Sequence, residues 1–307
     1  YNFTLGFEGN IGSISLEERV TTLDRENLIY ENEHNPDFFQ GVVSNSITVA
    51  DVRLTHRIES GNITVDISGN FTGSPASIRR RVVFASTGLP VDDLDWSVFD
   101  ASPSGGVFSG SVVIPSSDQP YSIEVDFSDD ALVTDATADF YSAYHLLLDG
   151  QSLASLMLVD GSTLTPNANT KVFVESTGSY ITPTGDGAVS LLNEIQAATN
   201  RYVVLCSTAI GGRSLLVENI SSANNFVWTP GDPTSNAIYN TILNSSNLLG
   251  GYNAHISIMG ENDAVYYGVA IETFQAELTA FYADIRTRTN QPELPLIMQP
   301  VGVRGDD

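Results

Sequence analysis

The chain has 307 residues, 42% hydrophobic and 16% charged, enough to bury a sizeable core and long enough to favour two domains over one. Its formal net charge of −24 argues against nucleic acid as a partner, because neutralising phosphates needs clustered Lys and Arg. No apolar run approaches the ~20 residues that span a bilayer, so no membrane insertion is expected. Lys171 is the single lysine, and the other basic residues among the 13 are arginines. Such an acidic, lysine-poor surface fits a saline or extracellular setting and fits compositional drift equally well. Cys206 is the only cysteine, which excludes an intrachain disulfide; its apolar surroundings read as core packing. The chain opens on Tyr1 without a signal-peptide pattern and is expected to be a segment of a longer product.

Residues 1–41 are mixed and acidic, and 16–30 read equally as a short helix or a linker. From 42 to 130, short apolar/polar alternations are broken by Gly, Pro, Ser and Asn, the pattern of an antiparallel β-sandwich. Its clearest runs are 47–54, 63–67, 81–84, 107–113 and 121–127. Trp96 and Phe99 are expected to anchor its core, and Arg79-Arg80-Arg81 reads as a solvated strand end. Residues 128–143, with Asp129, Asp130, Asp135 and Asp139, read as an acidic linker.

Beyond it the period changes. Strand-like runs alternate with helical ones, which predicts βα units on a parallel sheet over residues 131–307. The predicted strands are 144–148, 202–207, 254–259 and 296–298. Helical spacing covers 187–200 through Val189, Leu192, Ile195 and Ala198, and 234–249 through Ile238, Ile242 and Leu249. The longest helix is predicted over 264–289, with Phe274, Leu278, Phe281 and Ile285 as its buried stripe and Arg286 and Arg288 at its C-terminal end.

Three short motifs follow three of these strands: Gly150-Gln151-Ser152, Ala209-Ile210-Gly211-Gly212, and Gly260-Glu261-Asn262-Asp263. In an open α/β sheet, the C-terminal strand ends line the ligand crevice. A serine on a tight strand-to-helix turn is exposed for nucleophilic attack, although a helix N-cap serine has the same local sequence. Glycines at a strand end let backbone approach a ligand, or simply turn the chain. Asn262 can offer its amide to an oxyanion, while Asp263 can cap the following helix. Together the three supply a nucleophile and oxyanion donors, the parts of a serine esterase. The usual base is missing, because no histidine follows His255, and His145 and His255 read as core or sheet-face residues.

Residues 143–301 resemble the SGNH/GDSL hydrolase superfamily, and within it the sialate O-acetylesterase-like carbohydrate esterases. The resemblance is carried by Asp149-Gly150-Gln151-Ser152, by the strand ending in Gly211-Gly212, and by Gly260-Glu261-Asn262-Asp263 with Tyr266 or Tyr267, a long helix ending near Arg286, and Leu294-Pro295-Leu296-Ile297-Met298. The preceding stretch with Trp96, Gly105-Gly106 and Tyr121 resembles the β-sandwich that often accompanies this catalytic domain. The implied fold is a three-layer α/β domain with a parallel sheet, preceded by that sandwich. By the same resemblance Ser152 is the nucleophile, and its backbone N–H, that of Gly212 and the Asn262 side chain form the oxyanion hole. Gln151 and Glu261 then stand beside the substrate.

The sequence departs from the family at Leu153, where Asn is usual, and at Met259, where Gln is common. The closing Asp-x-x-His block is not present before Asp307 and is expected further along the parent product. The expected activity is removal of O-acetyl groups from a carbohydrate or polysaccharide, with no metal or organic cofactor. The rival expectation is a catalytically silent, glycan-binding adhesin or structural module of a virion tail, spike or cell surface. Either sets the protein outside the cell or on a virion, as an oligomer and in contact with other virion or surface proteins.

Overall fold

In a computed structural model of the chain, residues 45–150, 152–159, 161–209, 215, 237–259 and 270–298 are described. Contacts divide the chain between Ser46 and Ile47, and the architecture below is that of the second unit.

Its first part is antiparallel. Strands β1 (Ser46–Val49), β2 (Thr55–Arg57), β3 (Asn62–Thr72), β4 (Ile78–Phe84), β5 (Ser97–Asp100), β6 (Val107–Pro115), β7 (Tyr121–Phe127) and β8 (Asp130–Ala136) follow one another. One sheet has the order β1-β3-β6 and a second the order β5-β4-β7-β8. Alternation dictates the packing: Ile63, Val65 and Ile67 of β3 and Val112 and Ile114 of β6 are buried against Val82 of β4 and Ile123 of β7. Each such side chain contributes about 1.5–3 kcal/mol when fully removed from water. Gly110 lies in this alternation because a Cβ there would stand 2.6 Å from the Phe99 ring.

Four expectations change here. The aspartates of 130–136 do not mark a linker; they belong to β8, which pairs along β7 from Glu124 to Phe127. Trp96 does not anchor the core, because Arg79 and Arg81 cover its ring at 5.3 and 4.9 Å from the centroid. Those two arginines also bond Asp126 and Glu124 across the strand pair, so they are partnered rather than merely solvated. Finally, the 47–54 run does not continue as one strand. It breaks after Val49, and the chain re-forms as β2 in a different sheet.

That different sheet belongs to the second part. It holds β9 (Tyr141–Gly150), β10 (Thr170–Val174), β11 (Ser179–Ile181), β12 (Tyr202–Ser207), β13 (Ala254–Ile258) and β14 (Leu296–Met298), in the order β11-β10-β12-β9-β13-β14. All pairs are parallel except β10 with β11. β2 runs parallel to the first residues of β9, while β13 pairs with its last five, so both halves share one central strand.

The helices are α1 (Ser152–Leu156), α2 (Asp186–Thr199), α3 (Ala237–Leu249) and α4 (Ile271–Arg288). They cover both faces of the sheet. Ala154 of α1 and Ala188 and Leu192 of α2 pack on Leu146, Leu148, Val203 and Leu205. On the opposite face Tyr239 and Ile242 of α3 and Phe281 and Ile285 of α4 pack on Leu147, Val204 and Cys206. Burial of strands on both faces explains their continuous apolar runs. The fold is thus mixed α/β, with helices on both sides of a mostly parallel sheet and two antiparallel sheets ahead of it. No described helix is long and apolar enough to cross a membrane.

Candidate active site

The strand order places β9 between β12 and β13, and these are the strands after which the three motifs occur. Their ends are staggered by two residues: Ser207 of β12 stands opposite Leu148, and Ile258 of β13 stands opposite Gly150. One residue past β12, the Thr208 N–H still donates to the Leu148 carbonyl at 2.9 Å. Three chain segments separated by about 50 residues each therefore reach the same end of the sheet.

Gly150 explains the first glycine of its motif. Its φ is +142°, and a Cβ would lie 2.3 Å from the Ile258 carbonyl oxygen and 2.9 Å from the Ala154 Cβ. Only glycine fits, both sterically and conformationally. The backbones of β9 and β13 touch at this point, and α1 folds back over it. Ser152 is the first residue of α1. Gln151, Gly211, Gly212, Glu261, Asn262 and Asp263 lie outside the described residues, as does the side chain of Ser152.

The described histidines are all buried below this edge. His145 is fully buried; its Nε2 lies 3.0 Å from Thr55 Oγ1 and its Nδ1 3.3 Å from the Gly251 carbonyl. The Gly251 oxygen can only accept, so Nδ1 carries the proton and Nε2 accepts from Thr55. Burial, aided by nearby His56, Arg57 and Arg53, pushes this imidazole down to about 3. His56 packs edge-on to Phe140 at 5.3 Å, and burial with Arg53 nearby lowers it to about 4. His255 stands opposite Leu147, three residues short of Gly150, which is about 10 Å below the edge at 3.3 Å per residue. None of the three can serve a serine at the strand edge. Cys206 is likewise buried, and burial pushes its thiol up, away from nucleophilic use.

One pair escaped the sequence reading. Asp149 and His255 are 1% and 2% exposed, and Nε2 lies 2.9 Å from Oδ2, with the ring tilted off hydrogen-bond alignment. Ser257 stands opposite Asp149 on the same sheet face, and Tyr282 of α4 crosses the His255 ring edge-on at 5.1 Å. Burial first, then Asp149, raises the Tyr282 phenol. The available signal was a charged residue closing an apolar run, Leu146-Leu147-Leu148-Asp149.

No family model matches the chain, and no curated protein matches it. Solved structures do. A carbohydrate acetylesterase from Xanthomonas citri aligns over 82% of this chain at 14% identity and TM-score 0.48. The chain spans 60% of that protein's length. A protein from Arabidopsis thaliana aligns over 52% of the chain and 75% of its own length, at 15% identity and TM-score 0.39. A family two carbohydrate esterase from Cellvibrio japonicus aligns over 85% of this chain and 81% of its own, at 15% identity and TM-score 0.30.

Proposed function

We propose that the protein is a serine esterase of the SGNH/GDSL type that removes O-acetyl groups from a carbohydrate. The observation that carries this reading is the adjacency of β12, β9 and β13, which end within two residues of one another, with Gly150 placing Ser152 just past the strand at the start of α1. The same reading divides the chain into a β-sandwich and a hydrolase domain, with the boundary moved from 130/131 to beyond β8, which pairs with β7.

In the proposed reaction, Ser152 Oγ attacks the acetyl carbonyl while its proton passes to a base. The tetrahedral oxyanion accepts hydrogen bonds from the Ser152 and Gly212 amides and from the Asn262 side chain. Collapse breaks the bond to the sugar oxygen, which takes the proton and leaves. Water then attacks the acetyl-serine, releases acetate and returns the proton to Ser152. Gln151 and Glu261 are assigned to substrate contact. The acetylated glycan as substrate, and a position outside the cell or on a virion, rest on the motif resemblance and composition.

The base is not among the described histidines. The second reading is a glycan-binding module in which the hydrolase frame has lost turnover. Hydrolysis of an aryl acetate by the natural gene product that carries this chain separates the two. Turnover that disappears in Ser152→Ala supports the esterase. Absence of turnover on this ester and on a panel of acetylated glycans, with retained glycan binding, supports the module.

A further inference from the structure

Three buried polar atoms beneath the strand edge have no aligned hydrogen-bond partner, both Asp149 carboxylate oxygens and His255 Nε2, and beside them the Ser257 and Tyr282 hydroxyls interact with each other. They form one cluster. Asp149 and Ser257 are opposite neighbours on β9 and β13, His255 lies one sheet layer deeper on the same face, and Tyr282 closes the cluster from α4. Phe281 supplies the remaining wall, edge-on to His255 at 6.5 Å. The other charged groups of that end of α4 are turned elsewhere: Asp284 bonds Tyr239 and Arg288, and Arg286 bonds the Leu294 carbonyl. Thus His255 is the one basic group set against Asp149 among the described residues.

A carboxylate at this place matters to the serine. Three residues separate Asp149 from Ser152, so their Cα atoms are at most about 11 Å apart. An uncompensated negative charge at that distance, in a protein interior of effective dielectric near 20, would slow formation of an oxyanion roughly tenfold. His255, with Nε2 2.9 Å from Oδ2, is the group placed to offset that charge. The pair also bridges the two strands whose ends meet at Gly150, diagonally across the sheet. We propose that Asp149 and His255 are positioning residues for the Ser152 turn: His255 neutralises the carboxylate beneath the oxyanion, and the contact ties the nucleophile strand to the strand leading to Asn262. The kinetic half of this proposal rests on the esterase reading; the structural half does not.

The test compares Asp149→Asn, His255→Gln and the double variant in the natural gene product, with Ser152→Ala as reference. Two quantities are read: kcat and KM on an aryl acetate per folded molecule, and backbone hydrogen exchange over 146–150 and 254–258. His255→Gln is expected to lower kcat at least tenfold with KM nearly unchanged, because it leaves Asp149 uncompensated. The double variant is expected to recover most of that loss, since it removes the charge as well. Exchange is expected to rise at both strand ends in each single variant while β10 and β12 stay protected.

A merely structural pair would lower stability in all three variants without the rescue, and that result overturns the proposal. Unchanged exchange in every variant overturns it too, whatever the enzyme does. If the unsubstituted protein shows no Ser152-dependent turnover, the esterase reading fails on its own, and exchange alone then decides whether the pair ties the strands.

Discussion

The antiparallel and parallel halves each bury one carboxylate among the described residues, and they treat it in opposite ways. Asp126 receives two guanidinium N–H bonds from Arg79, at 2.9 and 2.5 Å, and Arg79 in turn lies against Trp96 at the surface. Asp149 is equally buried, but its ion-pair partner is the tilted ring of His255. A forked, aligned pair fixes a sheet and asks nothing further. A buried pair without full hydrogen bonding is a poor way to gain stability, since desolvation offsets much of its attraction. On the proposed reading, the contrast teaches where this molecule keeps chemistry in place of packing: at the end of the strand that leads to Ser152.

The comparison can be broken by substitution on either side. The largest effect is expected from Gly150→Ala, which forces a φ of +142° on a residue with a Cβ and drives that atom into the Ile258 carbonyl. Backbone strain and overpacking together should cost about 3–5 kcal/mol, read as a shift in denaturant midpoint. Gly110→Ala, which meets only the Phe99 ring, should cost about 1–3 kcal/mol and leave turnover intact. Equal losses of activity in the two would erase the distinction between the halves.

Next comes Asn262→Ala. Loss of one oxyanion donor should lower kcat by about 10²–10³ with little change in stability. A change in KM alone would instead place Asn262 in substrate binding.

Acidification acts where the halves join. His145 and His56 are held neutral, at about 3 and about 4, against 6.5 in the unfolded chain. Between those values the unfolded state binds protons that the folded state does not, so stability is full above about pH 6.5 and falls as pH drops towards 4. Denaturant unfolding at pH 7 and pH 4.5 should differ by on the order of 4 kcal/mol from these two groups. His56→Gln should remove roughly half of that difference; an unaltered difference would assign the acid sensitivity to other groups.

The smallest effect is expected from Arg79→Ala. It leaves Asp126 buried with its fork removed and should cost about 1–3 kcal/mol, with kcat unchanged. A fall in kcat would mean that the antiparallel half reaches the site after all.

Much of this was legible in the sequence because it depends on local periodicity. The run Tyr202–Ser207 is a strand because it is apolar on both faces, and the Phe281 and Ile285 stripe faces the sheet as its spacing implies. The motif order placed a serine at a strand end, and Gly150 shows why glycine precedes it. What escaped depends on partners distant in the chain. Nothing local marks Thr55–Arg57 as a strand of the parallel sheet, since its pairing lies some 86 residues away on β9. The aspartates of β8 look like a linker until Val49 is found donating its N–H to Asp135 at 2.8 Å. Trp96 looks like core until two arginines from β4 cover it. Asp149 and His255 are 106 residues apart, and only the register of β9 with β13 brings them together.

The central claim is that the sheet edge presents Ser152 as a nucleophile. Its most direct test is to treat the natural gene product with a serine-directed fluorophosphonate and map the modified residue by mass spectrometry. The account predicts a single adduct on Ser152, absent from Ser152→Ala and from unfolded protein. Hydrolysis of acetyl esters that persists with Ser152 unmodified, or an adduct on another serine, would contradict it.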